Sequence, residues 1–174
     1  MAKNTLLKDN EEAQDSLGED DAFASEFIDG LQEVNYQLMM NFGQEVAANL
    51  FIFDLWVRNG DRTLSMKGGN PNVFYQPAEQ RFWALDHNLA FDDSFEFYDF
   101  TKDHLGRDAW IQQRDLLSRQ LYQDRASNCL RQLDEIFSLV PDEWDLTDDF
   151  MEQIRLTLGL INHDNFWERV FFFF

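Results

Sequence analysis

This sequence has a single cysteine, a small share of positive charge and no long apolar run. One cysteine, Cys129, excludes an intrachain disulfide and any zinc site built on several thiolates. Leu130 and Leu133 beside it point to a buried helical position rather than a reactive thiol, and a reducing cytoplasm is the expected compartment. The longest apolar runs, such as Val170–Phe174, fall far short of the roughly 20 residues that a membrane span needs. The chain does not open on a basic stretch followed by an apolar one, so no secretory signal is expected. Only 14 basic residues face 33 acidic ones, a net charge of −19. Such a field repels phosphate backbones, which argues against direct nucleic-acid binding. It serves either plain solubility or the approach of a partner protein with a basic surface.

What the sequence does have is enough to build a core. Hydrophobic residues make up 44% and aromatics 16% of its 174 residues, with 18 Phe and 5 Trp, a richness that disordered chains lack. Residues 1–21 are polar and acid-rich without an apolar period, and they read as a flexible arm ahead of a single domain over residues 22–174. A short helix is expected from about Ala22, with Phe23, Phe27 and Ile28 on one face. The clearest helix runs from Asn35 to Val57, where Phe42, Val46, Leu50, Phe53 and Val57 recur at helical steps as a buried stripe. Asn59-Gly60 ends it, and a polar loop leads to Asn70-Pro71-Asn72. Two short strands, Val73–Gln76 and Arg81–Leu85, joined by Pro77-Ala78-Glu79-Gln80, predict a β-hairpin. Helices are expected near Asp108–Tyr122, Ala126–Leu139, Asp148–Leu160 and Asp164–Phe171. The fold class is therefore mainly α with a small β-hairpin.

The order of these elements gathers chemistry. The turn after the long helix carries Asp61, and the second hairpin strand returns Asp86 to the level of Asn70 and Asn72. Two carboxylates and an amide at one end of a hairpin make an oxygen-rich site suited to Mg²⁺. In phosphoryl transfer one Asp positions the attacking hydroxyl, while an Asn and a second Asp hold the metal ions that bridge the phosphates.

The three blocks WVRNGDRT, GGNPNVF and FWALDHNLAF resemble the catalytic segment of the HipA-like kinases and, more distantly, the phosphoinositide-kinase-like fold. The resemblance covers roughly residues 36–170 and implies a helical domain like a kinase C-terminal lobe. It assigns Asp61 to the catalytic Asp, Asn72 to the metal-binding Asn with Asn70 as its rival, and Asp86 to the metal-binding Asp. His87 follows as it does in the family, whereas Asn88 stands where the family usually has Gly. Without a functional site, the same residues would be a helix-ending turn, a loop corner and a backbone cap.

A kinase also needs a strand lysine and a glycine-rich loop upstream to hold the phosphates. The residues ahead of the first long helix offer only Lys3 and Lys8, in the polar arm, so the ATP-gripping lobe is expected to be missing. Lys67 in the catalytic loop reads as a solvated residue, with phosphate contact as the sharper alternative. His104 has no partner at helical spacing and is not expected to bind metal, and His163 reads as a helix-entry residue. The stretch Asp92, Asp93, Phe95, Glu96, Phe97 and Asp99 is either a loop packed on the core or a partner-binding edge with aromatic anchors in an acidic rim. Phe171–Phe174 either docks on the core or meets another chain.

Three functions follow. The first is a kinase-derived acidic protein that occupies a basic surface of a partner, at the extreme as a nucleic-acid mimic. The second is an ATP- and Mg²⁺-dependent Ser/Thr-type protein kinase, or the catalytic part of a split one whose other subunit supplies the missing lobe. The third is a metal- or nucleotide-sensing module without transfer activity. The sequence ranks the first slightly ahead of the second.

Overall fold

Asn35 opens the first helix, its side-chain oxygen accepting the N–H of Leu38 at 2.9 Å, and helix α1 covers Tyr36–Phe42. The structure, a computed structural model, describes residues 25–172. Gly43 leaves the helical region and a second helix, α2, covers Gln44–Val57. The single helix expected from Asn35 to Val57 is thus two, broken at the residue with the poorest helix propensity after proline. The expected stripe holds at Leu50 and Val57, both buried, and is corrected elsewhere. Phe42 is 72% exposed and Phe53 39%, whereas Ala47, Ala48, Phe51, Ile52, Asp54 and Leu55 are buried. Helix α2 is enclosed around most of its circumference, so no one apolar stripe could mark its inner side.

Strands β2 (Val73–Gln76) and β3 (Arg81–Ala84) form the expected antiparallel hairpin, with Val73 opposite Ala84 and Gln76 opposite Arg81. A two-residue strand that the sequence did not announce, β1 (Gln32–Glu33), pairs with β2 to give the order β1-β2-β3. Val73, Tyr75, Phe82 and Ala84 turn inward onto a cluster with Val34, Met39, Ala47, Leu50 and Leu105. Phe74 and Trp83, directly opposed in the register, share the other face.

The remaining α-helices are α3 (Phe97–Asp103), α4 (Arg107–Gln113), α5 (Leu116–Leu130), α6 (Leu133–Ser138), α7 (Asp148–Gly159) and α8 (Asp164–Phe172). Helices α7 and α8 lie where the sequence put them. The helix expected over Asp108–Tyr122 is instead divided near Asp115, which caps α5 reciprocally with Ser118. The one expected over Ala126–Leu139 is divided after Leu130. Cys129, expected to be buried, is exposed, because its turn of α5 directs Leu130 rather than the thiol toward the core. Helix α3 occupies a stretch expected to be a loop. Residues 25–28 carry no regular structure and Phe27 is 88% exposed, which corrects that part of the helix expected from Ala22. Ala22, Phe23, the acidic arm 1–21 and Phe173–Phe174 lie outside the described residues.

Three indoles lock the C-terminal helices to the core. Trp110 donates to the carbonyl of Val170 at 3.0 Å, Trp167 to that of Ile161 at 2.7 Å, and Trp56 to that of Leu158 at 2.8 Å. Phe171 packs against Trp110 and Trp167 at ring distances of 5.8 and 6.0 Å. Gly106 lets the start of α4 approach α2 so closely that a Cβ there would collide with the backbone of Ala47. Among the described residues no helix is long and apolar enough to cross a membrane.

Candidate active site

Helix α2 delivers one charged side chain into an apolar interior. Asp54 is fully buried, and burial pushes its carboxyl up, yet the contacts from His104 and Arg62 outweigh that and hold it below the usual carboxylate range. His104 Nε2 lies 2.9 Å from Asp54 Oδ2, Arg62 Nε donates to the same oxygen at 2.7 Å, and Asn59 Nδ2 donates to Oδ1 at 3.2 Å. The tautomer of His104 follows from its other nitrogen. Nδ1 accepts the N–H of Gly106 at 3.0 Å, so the ring is neutral and its Nε2 proton points at Asp54. Burial lowers the pKa of His104, in keeping with that neutral form.

At Arg58 the chain leaves α2 through a left-handed residue, with φ of 57°. The N–H of Asn59 returns to the carbonyl of Asp54 at 2.8 Å, and the tight turn brings out Asp61 and Arg62. Arg62 then turns inward with no exposed surface. Its Nη1 donates to the carbonyls of Pro71 at 3.0 Å, Asn72 at 2.9 Å and Leu85 at 3.3 Å, and its Nη2 to Leu85 at 3.3 Å. The N–H of Leu85 donates to the carbonyl of Asn72 at 2.9 Å, and the carbonyl of Arg62 accepts from Leu105 at 3.1 Å. One guanidinium thus ties together the loop of Asp61, the corner at Asn72 and the turn at Asp86.

These bonds join the backbone segments that carry the three candidate residues. Asn70 Nδ2 donates to Asp61 Oδ2 at 3.3 Å, while the Asn70 backbone bonds Thr63. Asp61 Oδ1 and Asn72 Nδ2 are buried without a hydrogen-bond partner. Buried polar atoms left unpaired are costly and uncommon. A half-turn of the Asn72 amide would exchange its unpaired Nδ2 for the side-chain oxygen. Asn72 and Asp86 both adopt positive φ, 45° and 55°, a conformation that Asn and Asp tolerate better than most residues. His87 reports on the same field: burial and Arg62 lower its pKa, and Asp54, Asp86 and Asp61 pull against them.

Asn72 and Asp86 offer hard oxygen donors of the kind Mg²⁺ takes, and the Asn72 amide, buried with its Nδ2 unpaired, fits such an ion once turned to present its oxygen. Among the described residues no group of three or more His, Cys, Asp or Glu could hold a metal by itself. An ion here would therefore complete its shell with phosphate oxygens and water, as Mg²⁺ commonly does.

The other candidate residues lie apart. Lys67 is exposed and lines a cleft of about 720 Å³ between the 64–69 loop, β1 and the start of α1, which reaches Pro71 but not Asp61. Phe95 and Phe97 are half-buried against the core cluster of Phe51, Phe100 and Trp110, with Phe95 at 5.3 Å from Phe100. Asp93, Glu96 and Asp99 are exposed, and Asp92 accepts hydrogen bonds from Ser94. The exposed ring of this stretch is Tyr98.

Sequence reasoning missed Asp54, Arg62 and His104 as a unit. The signal for Asp54 was available: an acid in the middle of FIFDLWV has to find a partner if its helix is buried. Nothing local to His104 shows that a residue 50 positions away is its partner.

The family model for HipA-like kinases matches residues 1–170 of this chain. No curated protein and no solved structure matches it.

Proposed function

The chain belongs to the HipA-like kinase family, and from that premise we propose that it carries the Mg²⁺-dependent part of a kinase active site and transfers phosphoryl groups from ATP to a hydroxyl of a protein substrate. The observation that carries this reading is the reach of Arg62, which binds the carbonyls of Asn72 and Leu85 from the turn that bears Asp61. Burying a guanidinium and a carboxylate is costly, and apolar residues of similar volume often hold a fold as well or better. A buried ion pair devoted to aligning three loops fits a site in use. That argument reverses the order given by the sequence, which put a binding role first.

Asp61 would orient the acceptor hydroxyl and take up its proton. Asn70, already hydrogen-bonded to that carboxylate, would fix its rotamer. Asn72 and Asp86 would hold Mg²⁺ through their side-chain oxygens. When bound, the ion supplies charge neutralisation at the phosphates. Phe74 and Trp83, on the outer face of the hairpin that ends at Asn72 and Leu85, would give the nucleotide base an aromatic surface. The same reading puts the chain in the cytoplasm, where ATP and Mg²⁺ are at hand. The test is calorimetric titration with ATP and Mg²⁺, beside an Asp86→Ala variant. Micromolar binding that the variant loses is the expected result; no binding at millimolar ATP overturns nucleotide use by the chain alone. A split enzyme would bind ATP only after a second protein that grips the nucleotide is added.

A second reading rests on the net charge of −19. Here the chain covers a basic surface of a partner and blocks it, at the extreme as a nucleic-acid mimic. Such a complex forms at low salt, dissociates at high salt, and suppresses the partner's own nucleic-acid binding. Capture that ignores salt would sink it.

A further inference from the structure

We propose that Arg62 is a positioning residue, whose guanidinium sets the backbone of Asn72 and Asp86 and through it the presentation of their side chains. The inference deepens the kinase reading in its metal-binding part, and its structural part stands without it. A guanidinium carries five N–H donors in a rigid plane. In Arg62 they reach Asp54 Oδ2 at 2.7 Å and the carbonyls of Pro71, Asn72 and Leu85 at 2.9–3.3 Å. These carbonyls belong to Asn72 itself and to the residues directly before Asn72 and Asp86. Both proposed ligands have positive φ, 45° and 55°. Side chains other than glycine's resist that conformation, and it persists where the surroundings impose it.

Arg62 is itself prevented from turning. Asp54 fixes Nε, and His104 holds the same Oδ2 of Asp54 through a ring whose Nδ1 is engaged by the Gly106 N–H. Every contact of this chain of side chains is buried or half-buried, so water has little access to replace it. A lysine at position 62 would keep the positive charge and lose the planar fork that serves three carbonyls at once.

The test uses the whole chain in four forms: wild type, Arg62→Lys, His104→Gln and, as a destabilised control in a core cluster that holds neither Leu85 nor Trp110, Ile154→Ala. The first readout is hydrogen exchange at the amide of Leu85, which binds the carbonyl of Asn72, relative to the amide of Trp110, which binds that of Gly106. The second is Mn²⁺ affinity measured by paramagnetic relaxation. Arg62→Lys is expected to speed exchange at Leu85 about tenfold beyond any change at Trp110. It is also expected to weaken Mn²⁺ binding by about tenfold or more. His104→Gln moves both readouts in the same direction by about threefold. Ile154→Ala changes the two amides alike and leaves Mn²⁺ affinity as it was. Arg62→Lys that exchanges like the control and binds Mn²⁺ like wild type overturns the proposal. Where Arg62→Lys does not fold, an unchanged His104→Gln overturns it instead. Wild type that binds no Mn²⁺ removes the metal reading, and the exchange at Leu85 then decides the positioning role alone.

Discussion

Arg62 Nε and Asp54 Oδ2 meet at 2.7 Å with neither side chain exposed to solvent. An ion pair so placed is worth little as a replaceable element, yet breaking it from one side leaves a charge stranded in the interior. Asp54→Ala is therefore expected to cost about 3–5 kcal/mol. Urea denaturation measures it. A loss below about 1 kcal/mol would mean that water reaches Arg62 and the pair behaves as a surface one.

Acid should weaken the fold in two stages. His104 has an ordinary value of 6.5 and a lower one when folded, because burial disfavours its charged form. Between those two values the unfolded chain binds a proton that the folded chain refuses, so stability rises with pH across that window. The contribution is complete above 6.5 and is lost as pH falls toward the folded value, and His87 acts with the same sign. Asp54, held below its ordinary 3.8, gives stability that is present above that value and lost only in stronger acid. The denaturation midpoint is thus expected to drop from about pH 7 to about pH 5, and His104→Gln to flatten that slope. A wild-type midpoint that stays level over this range would show that His104 takes its proton while folded.

The sequence showed local signals and hid distant ones. The hairpin was legible because β-branched and aromatic residues flank a Pro-containing turn, and α7 and α8 because their apolar periods are clean. Helix α2 was legible as a helix, but its inner face was not, since a helix buried on most sides has no stripe to read. The Asp115–Ser118 cap that divides two helices was overlooked because the apolar pattern runs across it. For the site, Asp61, Asn72 and Asp86 stood out as oxygen donors in order along the chain. What brings them together, a guanidinium joined to Asp54 and His104, depends on contacts across 8 and 50 positions that no local pattern encodes.

Two glycines should respond oppositely to the same change. At Gly106 a Cβ would strike the backbone of Ala47, which cannot move aside as a side-chain tip would. Gly106→Ala is expected to destabilise by about 1–3 kcal/mol. At Gly159, helical and with nothing within 4 Å of a Cβ, alanine removes only unfolded-state freedom. Gly159→Ala is expected to stabilise by about 0.4–1 kcal/mol. Thermal melts of both variants check this, and equal effects would mean that α4 does not sit tightly on α2.

Asp61 and Asp86 should separate by what each variant loses. Asp61 is bonded by Asn70 on one oxygen and leaves the other buried and unpaired, an arrangement that suits a carboxylate awaiting a hydroxyl. Asp61→Asn keeps the shape and removes the proton acceptor, so phosphoryl transfer is expected to fall about a hundredfold to ten-thousandfold with Mn²⁺ and ATP affinity retained. Asp86→Asn weakens one of the two metal-holding groups and is expected to lower Mn²⁺ affinity first, with activity partly recovered at high metal concentration. Steady-state rates and Mn²⁺ titrations on both variants decide the assignment. If Asp61→Asn loses metal as severely as Asp86→Asn does, Asp61 holds the ion as well, and the proton must leave the hydroxyl by another group.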